Sequence, residues 1–185
     1  MIGRHPMIGG EAARRYARAL VDIAERQNVL DEVGEELSVL ADALEHPELR
    51  RILLNPRFSR PARTQILESI MESSGASELM RKFGRLVAEK DRIADLPGIA
   101  QHYQALADDA KGRVRAQVRT AFDLSSASLE ELRAKLSEVT GKEVLLEVEK
   151  DESLIGGLVC RMGGIVIDGS IKNQLKNLRD SLITN

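Results

Sequence analysis

LIGGLVCRMGGIVIDGSIKNQLKNLRDSL, residues 154–182, is the stretch that decides the fold. Two short apolar runs flank the pair Gly163 and Gly164, and Asp168-Gly169-Ser170 then opens a segment with Ile171, Leu175, Leu178 and Leu182 on one stripe. The order it predicts is strand, turn, strand, helix. Residues without a Cβ tolerate the positive φ that a two-residue hairpin turn needs, so residues 158–162 and 165–167 are expected to pair antiparallel around Gly163 and Gly164. Gly169 lets the chain turn out of the second strand. Ser170 is placed to cap the helix, and Asp168 sets a carboxylate near the positive end of its dipole. Gly156-Gly157 and Gly163-Gly164 have neither the spacing of a dinucleotide fingerprint nor that of a P-loop, so these glycines and Asp168-Gly169-Ser170 read as structural turn and cap residues.

Upstream, the hydrophobic period changes once. Over residues 113–120, Val114, Ala116, Val118 and Thr120 alternate with Arg113, Arg115, Gln117 and Arg119, as in a strand with one covered and one polar face. Ser128 with Glu131 has the capping-box spacing ahead of a helix carrying Leu129, Leu132, Leu136 and Val139, and Gly141 is placed to stop it. Val144, Leu146 and Val148 give a further strand. Residues 111–185 therefore form a small α/β domain of roughly 75 residues with a short mixed sheet, near the size at which a core becomes marginal.

Before residue 111 the pattern is helical throughout. Ala13, Tyr16, Ala17, Leu20, Val21 and Ala24 mark a helix over residues 11–27, and Val33, Leu37, Leu40, Ala41 and Leu44 a second over about 30–45. Pro47 opens a short third helix that Asn55-Pro56 closes. Ser59 caps a fourth with Ala62, Ile66, Leu67 and Ile70, ended by Ser73-Ser74-Gly75. A fifth, about 76–90, buries Leu79, Phe83, Leu86 and Val87. A sixth carries Ile93, Leu96, Ile99, Tyr103, Leu106 and Ala110, with Pro97-Gly98 delaying or bending its start. The expected fold class is α+β multidomain: a flexible tail over 1–10, an N-terminal six-helix bundle over 11–110, and the small α/β domain over 111–185.

Composition bounds the chemistry. The 185 residues are 43% hydrophobic and 30% charged, with 27 Lys and Arg against 29 Asp and Glu, a formal charge of −2. No basic field of the kind that gathers nucleic acid or anionic lipid results. The single Cys160 cannot form an intramolecular disulfide and falls in a predicted strand, which suits a reducing compartment. No apolar run reaches the ~18 residues of a membrane span, and residues 1–10 lack a secretory h-region. His5, His46 and His102 have no ligand spacing and read as solvated or capping side chains, and Glu35-Glu36, Glu147 and Glu149 as surface charge. No catalytic, metal or cofactor site is expected.

These segments resemble a known family. LIGGLVCRMGGIVIDGSIKNQLKNLRDSL, preceded by ELRAKLSEVTGKEVLLEVE, looks like the C-terminal signature of the delta subunits of rotary F-type ATP synthases, counterparts of the mitochondrial oligomycin-sensitivity-conferring protein. Tyr16-Ala17-Arg18-Ala19-Leu20 resembles the family's Y-A-x-A-L, Leu54-Asn55-Pro56 its N-P turn, and residues 86–93, LVAEKDRI, its junction between fifth and sixth helices. The chain departs at Asp123, where a proline-like position is expected, at Glu152, which follows Asp151 where Asp-Pro is common, and at Gly164, where Asp is common.

The resemblance implies a non-catalytic adaptor in the peripheral stalk, or stator, of a proton- or sodium-translocating F-type ATP synthase. The helical half would grip N-terminal segments of the alpha subunits of the catalytic head, and the C-terminal domain the ends of the b subunits, so that rotation is coupled to ATP synthesis. It implies one monomeric copy per complex, no nucleic acid, and membrane association only through the complex, at the cytoplasmic face of the bacterial inner membrane. In that mode a partner helix lies in a groove of the first and fifth helices, for which Tyr16, Ala19, Leu20, Phe83 and Leu86 are candidates; the same residues, Leu20 and Phe83 above all, also read as bundle core. A second reading is a helical RNA-binding module using Arg14, Arg15 and Arg18, opposed by the charge balance and 3% aromatic content.

Overall fold

Alanines set how closely the first helix packs. In the computed structural model, which describes residues 10–151, 153–162, 165–171 and 173, α1 (Glu11–Gln27) leaves Ala13, Ala17 and Ala24 fully buried and Leu20 at 1% exposure. Small side chains on one stripe let neighbouring helices approach, while Leu20 and Val21 fill the space between them. Asn28 ends the helix in the left-handed conformation at φ 57°, which Asn tolerates better than most residues, and its N–H closes on the last carbonyls.

α2 (Leu30–Ala43) buries Leu30, Val33, Leu37 and Leu40 on the same core, and α3 (Pro47–Leu53) follows with proline at its first position. α4 (Arg60–Ser73) is capped by Ser59, whose Oγ accepts from the Ala62 amide at 3.4 Å. Leu67 and Met71 are its buried residues, whereas Ala62, Ile66 and Ile70, expected on its apolar side, are half-buried. α5 (Glu78–Glu89) begins at Ser77, whose Oγ accepts from Met80 N at 3.2 Å. Glu36 of α2 takes hydrogen bonds from both the Ser77 amide and its hydroxyl, each at 2.7 Å. That carboxylate, expected to be solvated surface charge, instead ties α2 to the positive end of α5.

Gly84 explains how α4 and α5 lie together: a Cβ there would meet Met71 Sδ at 2.5 Å. After a 3-10 turn at Ile93–Asp95, α6 (Leu96–Ala110) buries Leu96, Ile99, Tyr103 and Ala107. Pro97 and Gly98 sit in its first turn, so Pro97-Gly98 marks a delayed helix start. The Tyr103 hydroxyl donates to the Leu30 carbonyl at 2.9 Å, which satisfies the one polar atom of a 1%-exposed ring. His102 is also buried, at 9%, and not solvated as its spacing led one to expect; His46 occupies the position before α3 with no side-chain capping bond. Side chains of α1 to α6 share one core.

The chain divides into two compact units, Met1–Ala107 and Asp108–Asn185. In the second, β1 (Arg113–Thr120), α7 (Ser126–Thr140) and β2 (Glu143–Lys150) form a parallel crossover unit, and β3 (Leu158–Met162) and β4 (Ile165–Asp168) complete a mixed sheet in the order β2-β1-β3-β4. Parallel neighbours need a long connection, which α7 supplies. Ala116, Val118, Val144, Cys160 and Met162 face Leu136 of α7 and make the second core. Cys160, 1% exposed, packs there as a hydrophobe, and burial pushes its thiol pKa up.

Two expectations for α7 are corrected. The N-cap is Ser125, which accepts from Ser128 N at 3.2 Å, so Ser128 lies inside the first turn and Glu131 pairs with Lys135 at 2.7 Å. Val139, assigned to the buried stripe, is 76% exposed because α7 reaches its last turn there. Gly141 ends the helix at φ 65°. On the sheet's other face, Arg115 lies between Asp108 and Glu147, 2.7 Å from each, and Arg113 and Arg119 pair with Glu143 and Asp151. Glu147 thus belongs to a cross-strand ion pair.

The β3–β4 register places Met162 opposite Ile165, leaving two residues for the connection. Gly163 and Gly164 themselves lie outside the described residues, as do the tail over 1–9 and most of the expected last helix. Where that helix starts, Asp168 Oδ1 accepts from Ser170 N at 3.0 Å and Ser170 Oγ accepts from Asn173 N at 3.3 Å. The segment before β3 is pinned to the same corner by Ile171 N to Gly156 O at 3.1 Å and Gly169 N to Leu158 O at 2.9 Å. Gly157, at φ +83°, packs directly on the Gly169 carbonyl, leaving no space for a side chain.

Candidate partner interface

α1 presents an apolar stripe beside its core face, only partly used by the core. Ala12, Tyr16, Ala19 and Ile23 follow one another at intervals of four, three and four residues, so they line one side of the helix. Ala12 and Tyr16 are half-buried, Ala19 is exposed, and Ile23 is 41% exposed. Leu20, next to Ala19 in sequence, points the other way into the core.

α5 carries the companion stripe: Leu79, Phe83 and Leu86 at intervals of four and three. Leu86 is 41% exposed, against the expectation that it is buried, because the core takes Met80, Gly84 and Val87 on an adjoining side of the helix. Phe83 bridges the two environments at 8% exposure. The Tyr16 and Phe83 rings meet edge to face, with centroids 6.4 Å apart and planes at 74°, so the two stripes adjoin across this pair.

Of the five candidate residues, the structure brings Tyr16 and Phe83 into contact and leaves Ala19 and Leu86 open to solvent, while Leu20 is core. Ile23 was missed, although its position four residues after Ala19 on the same stripe was a usable signal. The surface has no acid–base pair or nucleophile; among the described residues no group of three His, Cys, Asp or Glu could hold a metal ion. It offers apolar area beside ordinary surface charge such as the Lys82–Glu78 pair at 2.7 Å, which suits a helix laid in a groove.

The second unit has its own exposed apolar residues. Phe122 is 64% exposed, Ile155 74%, Ile165 56% and Val166 53%, and Ile167 and Ile171 are likewise open. All four residues of β4 are exposed, and that strand is a sheet edge. These are many large exposed apolar side chains for so small a unit. No helix among the described residues is long and apolar enough to cross a membrane.

The family model described as ATP synthase delta (OSCP) subunit matches residues 12–182. ATP synthase subunit delta of Desulfosudis oleivorans is 41% identical over 170 residues, covering 91% of this chain and 93% of that protein. ATP synthase subunit delta of Myxococcus xanthus is 37% identical over 179 residues, 95% of this chain and 98% of that one. A chain in the structure of the Toxoplasma gondii mitochondrial ATP synthase hexamer superposes with a TM-score of 0.70 over 94% of this chain and 98% of its own length, at 20% identity, a likeness of fold.

Proposed function

Because the chain belongs to the ATP synthase delta (OSCP) subunit family, we propose that its two units hold two different partners and so tie the catalytic head to the peripheral stalk. The protein is a non-catalytic structural subunit of an F-type ATP synthase, a peripheral part of that complex. The finer assignment is that the first unit, as a six-helix bundle, grips N-terminal helices of the alpha subunits through Tyr16, Ala19, Ile23, Phe83 and Leu86. The second unit takes the ends of the b subunits. One copy serves each complex, at the cytoplasmic face of the bacterial membrane.

The observation that carries this reading is that each unit, with a core of its own, also exposes large apolar side chains the core does not need. A stator must resist torque at both ends, and two independent docking surfaces on two units meet that demand. Nothing favours the RNA-binding alternative: α1 joins its arginines to an apolar stripe and not to stacking rings.

The experiment is a pair of calorimetric titrations of the full chain, one against an alpha N-terminal peptide and one against a soluble b fragment. Both are expected to bind. A chain ending at Lys111 is expected to keep the alpha peptide and lose the b fragment; full-strength b binding by the shortened chain would end the assignment of one partner per unit.

A further inference from the structure

Residues 46–63 hold five arginines against one carboxylate, Glu48, in a chain whose formal charge is −2. Several arginines elsewhere are matched: Arg85 meets Glu68 at 2.8 Å, Arg113 meets Glu143 at 3.0 Å, and Arg133 meets Glu130 at 2.8 Å; Arg14, Arg15, Arg18 and Arg26 of α1 make no ion pair among the described residues but share that helix with Glu11, Asp22 and Glu25. Within this stretch only Arg63 has such a partner, Asp91 at 2.8 Å. Arg50 and Arg51 on α3, Arg57 in the following turn and Arg60 at the start of α4 are exposed, and none makes an ion pair among the described residues.

The turn that displays them is built. Asn55 Oδ1 accepts from Arg57 N at 3.0 Å, Phe58 N donates to Asn55 O at 3.1 Å, and Ser59 caps α4. Phe58, next to Arg57 in sequence and two residues before Arg60, is 40% exposed. Four exposed guanidinium groups without an ion-pair partner on consecutive segments of chain repel one another, and an approaching anion relieves that repulsion. Guanidinium forks bind carboxylates in pairs of parallel hydrogen bonds, and the exposed Phe58 ring adds apolar area in the same turn.

We propose that this α3–α4 corner is a second docking surface of the first unit, and that its occupant is a short acidic segment of a partner polypeptide. The charge pattern selects a short segment over a long polyanion. α2, directly before the corner, carries Asp31, Glu32, Glu35, Glu36 and Asp42, and Glu45 follows in the turn to α3. A nucleic acid or an anionic membrane extends well beyond the ~8 Å over which charges act in physiological salt, and so meets α2 as well. A few carboxylates over Arg50, Arg51, Arg57 and Arg60 do not. One aromatic ring is also too few for stacking successive bases. The surface shares no residue with the α1–α5 stripe.

The test is fluorescence anisotropy of the full chain with a labelled decaglutamate peptide, alongside a ten-nucleotide single-stranded RNA of equal label. Binding of the peptide is expected to weaken about tenfold or more between about 20 mM and about 200 mM salt, as screening dictates. Arg57→Glu with Arg60→Glu is expected to reduce peptide affinity at least about tenfold, and Arg57→Gln with Arg60→Gln by a smaller factor, with the far-ultraviolet melt unchanged in both. Arg26→Glu, an exposed arginine outside the corner, is expected to bind as the parent does. The proposal is overturned if the parent chain fails to bind the peptide, if the corner variants bind it normally, if Arg26→Glu loses as much as they do, or if the RNA binds more tightly. Titration with the alpha N-terminal peptide is expected to be unaffected by the corner variants, so its failure and the failure of this site are told apart.

Discussion

Tyr16 and Phe83 meet edge to face at 6.4 Å, and through that contact α1 and α5 become two walls of one apolar surface. Both rings are partly spent on the core, since Phe83 is 8% exposed and Tyr16 packs against the buried cluster. The pair therefore contributes to stability as well as to the surface. A double-mutant cycle with Tyr16→Leu and Phe83→Leu, read by urea unfolding, is expected to give a coupling of about 0.5–1.5 kcal/mol. Additive effects would mean that the rings act as independent apolar volume.

Gly157 and Gly141 separate backbone strain from steric exclusion. Both have positive φ, +83° and +65°, yet a Cβ at Gly141 meets nothing within 4 Å whereas one at Gly157 collides with the Gly169 backbone. Gly141→Ala is expected to cost about 1 kcal/mol, from the left-handed conformation alone. Gly157→Ala adds displacement of the β4 exit and is expected to cost about 2–4 kcal/mol. Thermal melts of the two variants compare them directly, and equal losses would show that the 156–157 and 169–170 segments yield easily.

How much of this was legible in the sequence depends on whether one local force decided the outcome. α1 has the bounds its periodicity predicts, and Met162 opposite Ile165 follows from two apolar runs separated by two glycines. The start of α7 was not legible in the same way. Ser125 and Ser128 both precede apolar residues, and S-x-x-E fits Ser128 with Glu131; what selects Ser125 is the preceding turn, where Thr120 Oγ1 engages both the amide and the carbonyl of Phe122. For α5, Leu79, Met80, Phe83, Leu86 and Val87 make an apolar arc wider than one core face. Residues advance about 100° each around a helix, so burying Met80, Gly84 and Val87 turns Leu86 outward. Sequence marks the arc; only packing divides it between core and exposed surface. The role of Glu36 at Ser77 is a contact across 41 residues, beyond any local pattern.

Asp168 gives a pH dependence with a fixed sign. Hydrogen bonds from the Ser170 hydroxyl and amide hold its pKa below the ordinary carboxylate value. A group whose folded pKa is depressed stabilises the fold above its unfolded pKa, and that contribution fades as pH falls through the folded value. Asp168→Asn keeps an oxygen acceptor but no charge. Its stability deficit is expected to be full at neutral pH and to shrink in the acid range below the ordinary carboxylate pKa, by denaturant melts at a series of pH values. A deficit that stays constant down to that range would show that the shape of the turn, and not its charge, matters.

The division of α1 between core and surface makes the sharpest functional prediction, because neighbouring residues should fail in opposite ways. Ile23 is 41% exposed and Leu86 is 41% exposed, so neither is needed to close the first unit's core, while Leu20 at 1% is. Ile23→Glu or Leu86→Glu is expected to leave the melting temperature nearly unchanged and to weaken the alpha N-terminal peptide, by setting a carboxylate against an apolar helix. The cost of desolvating that charge is about 2–4 kcal/mol, or roughly thirtyfold to near a thousandfold in affinity. Leu20→Ala leaves the exposed stripe intact but opens a cavity, at about 2–5 kcal/mol of stability, and the fraction that remains folded should bind the peptide with close to parental affinity. Calorimetric titration at a temperature where all three variants are folded, paired with urea unfolding, separates the outcomes. If Ile23→Glu and Leu86→Glu both bind as the parent does, the α1–α5 stripe is not where the head is held, and the docking surface of the first unit must be sought on another of its faces.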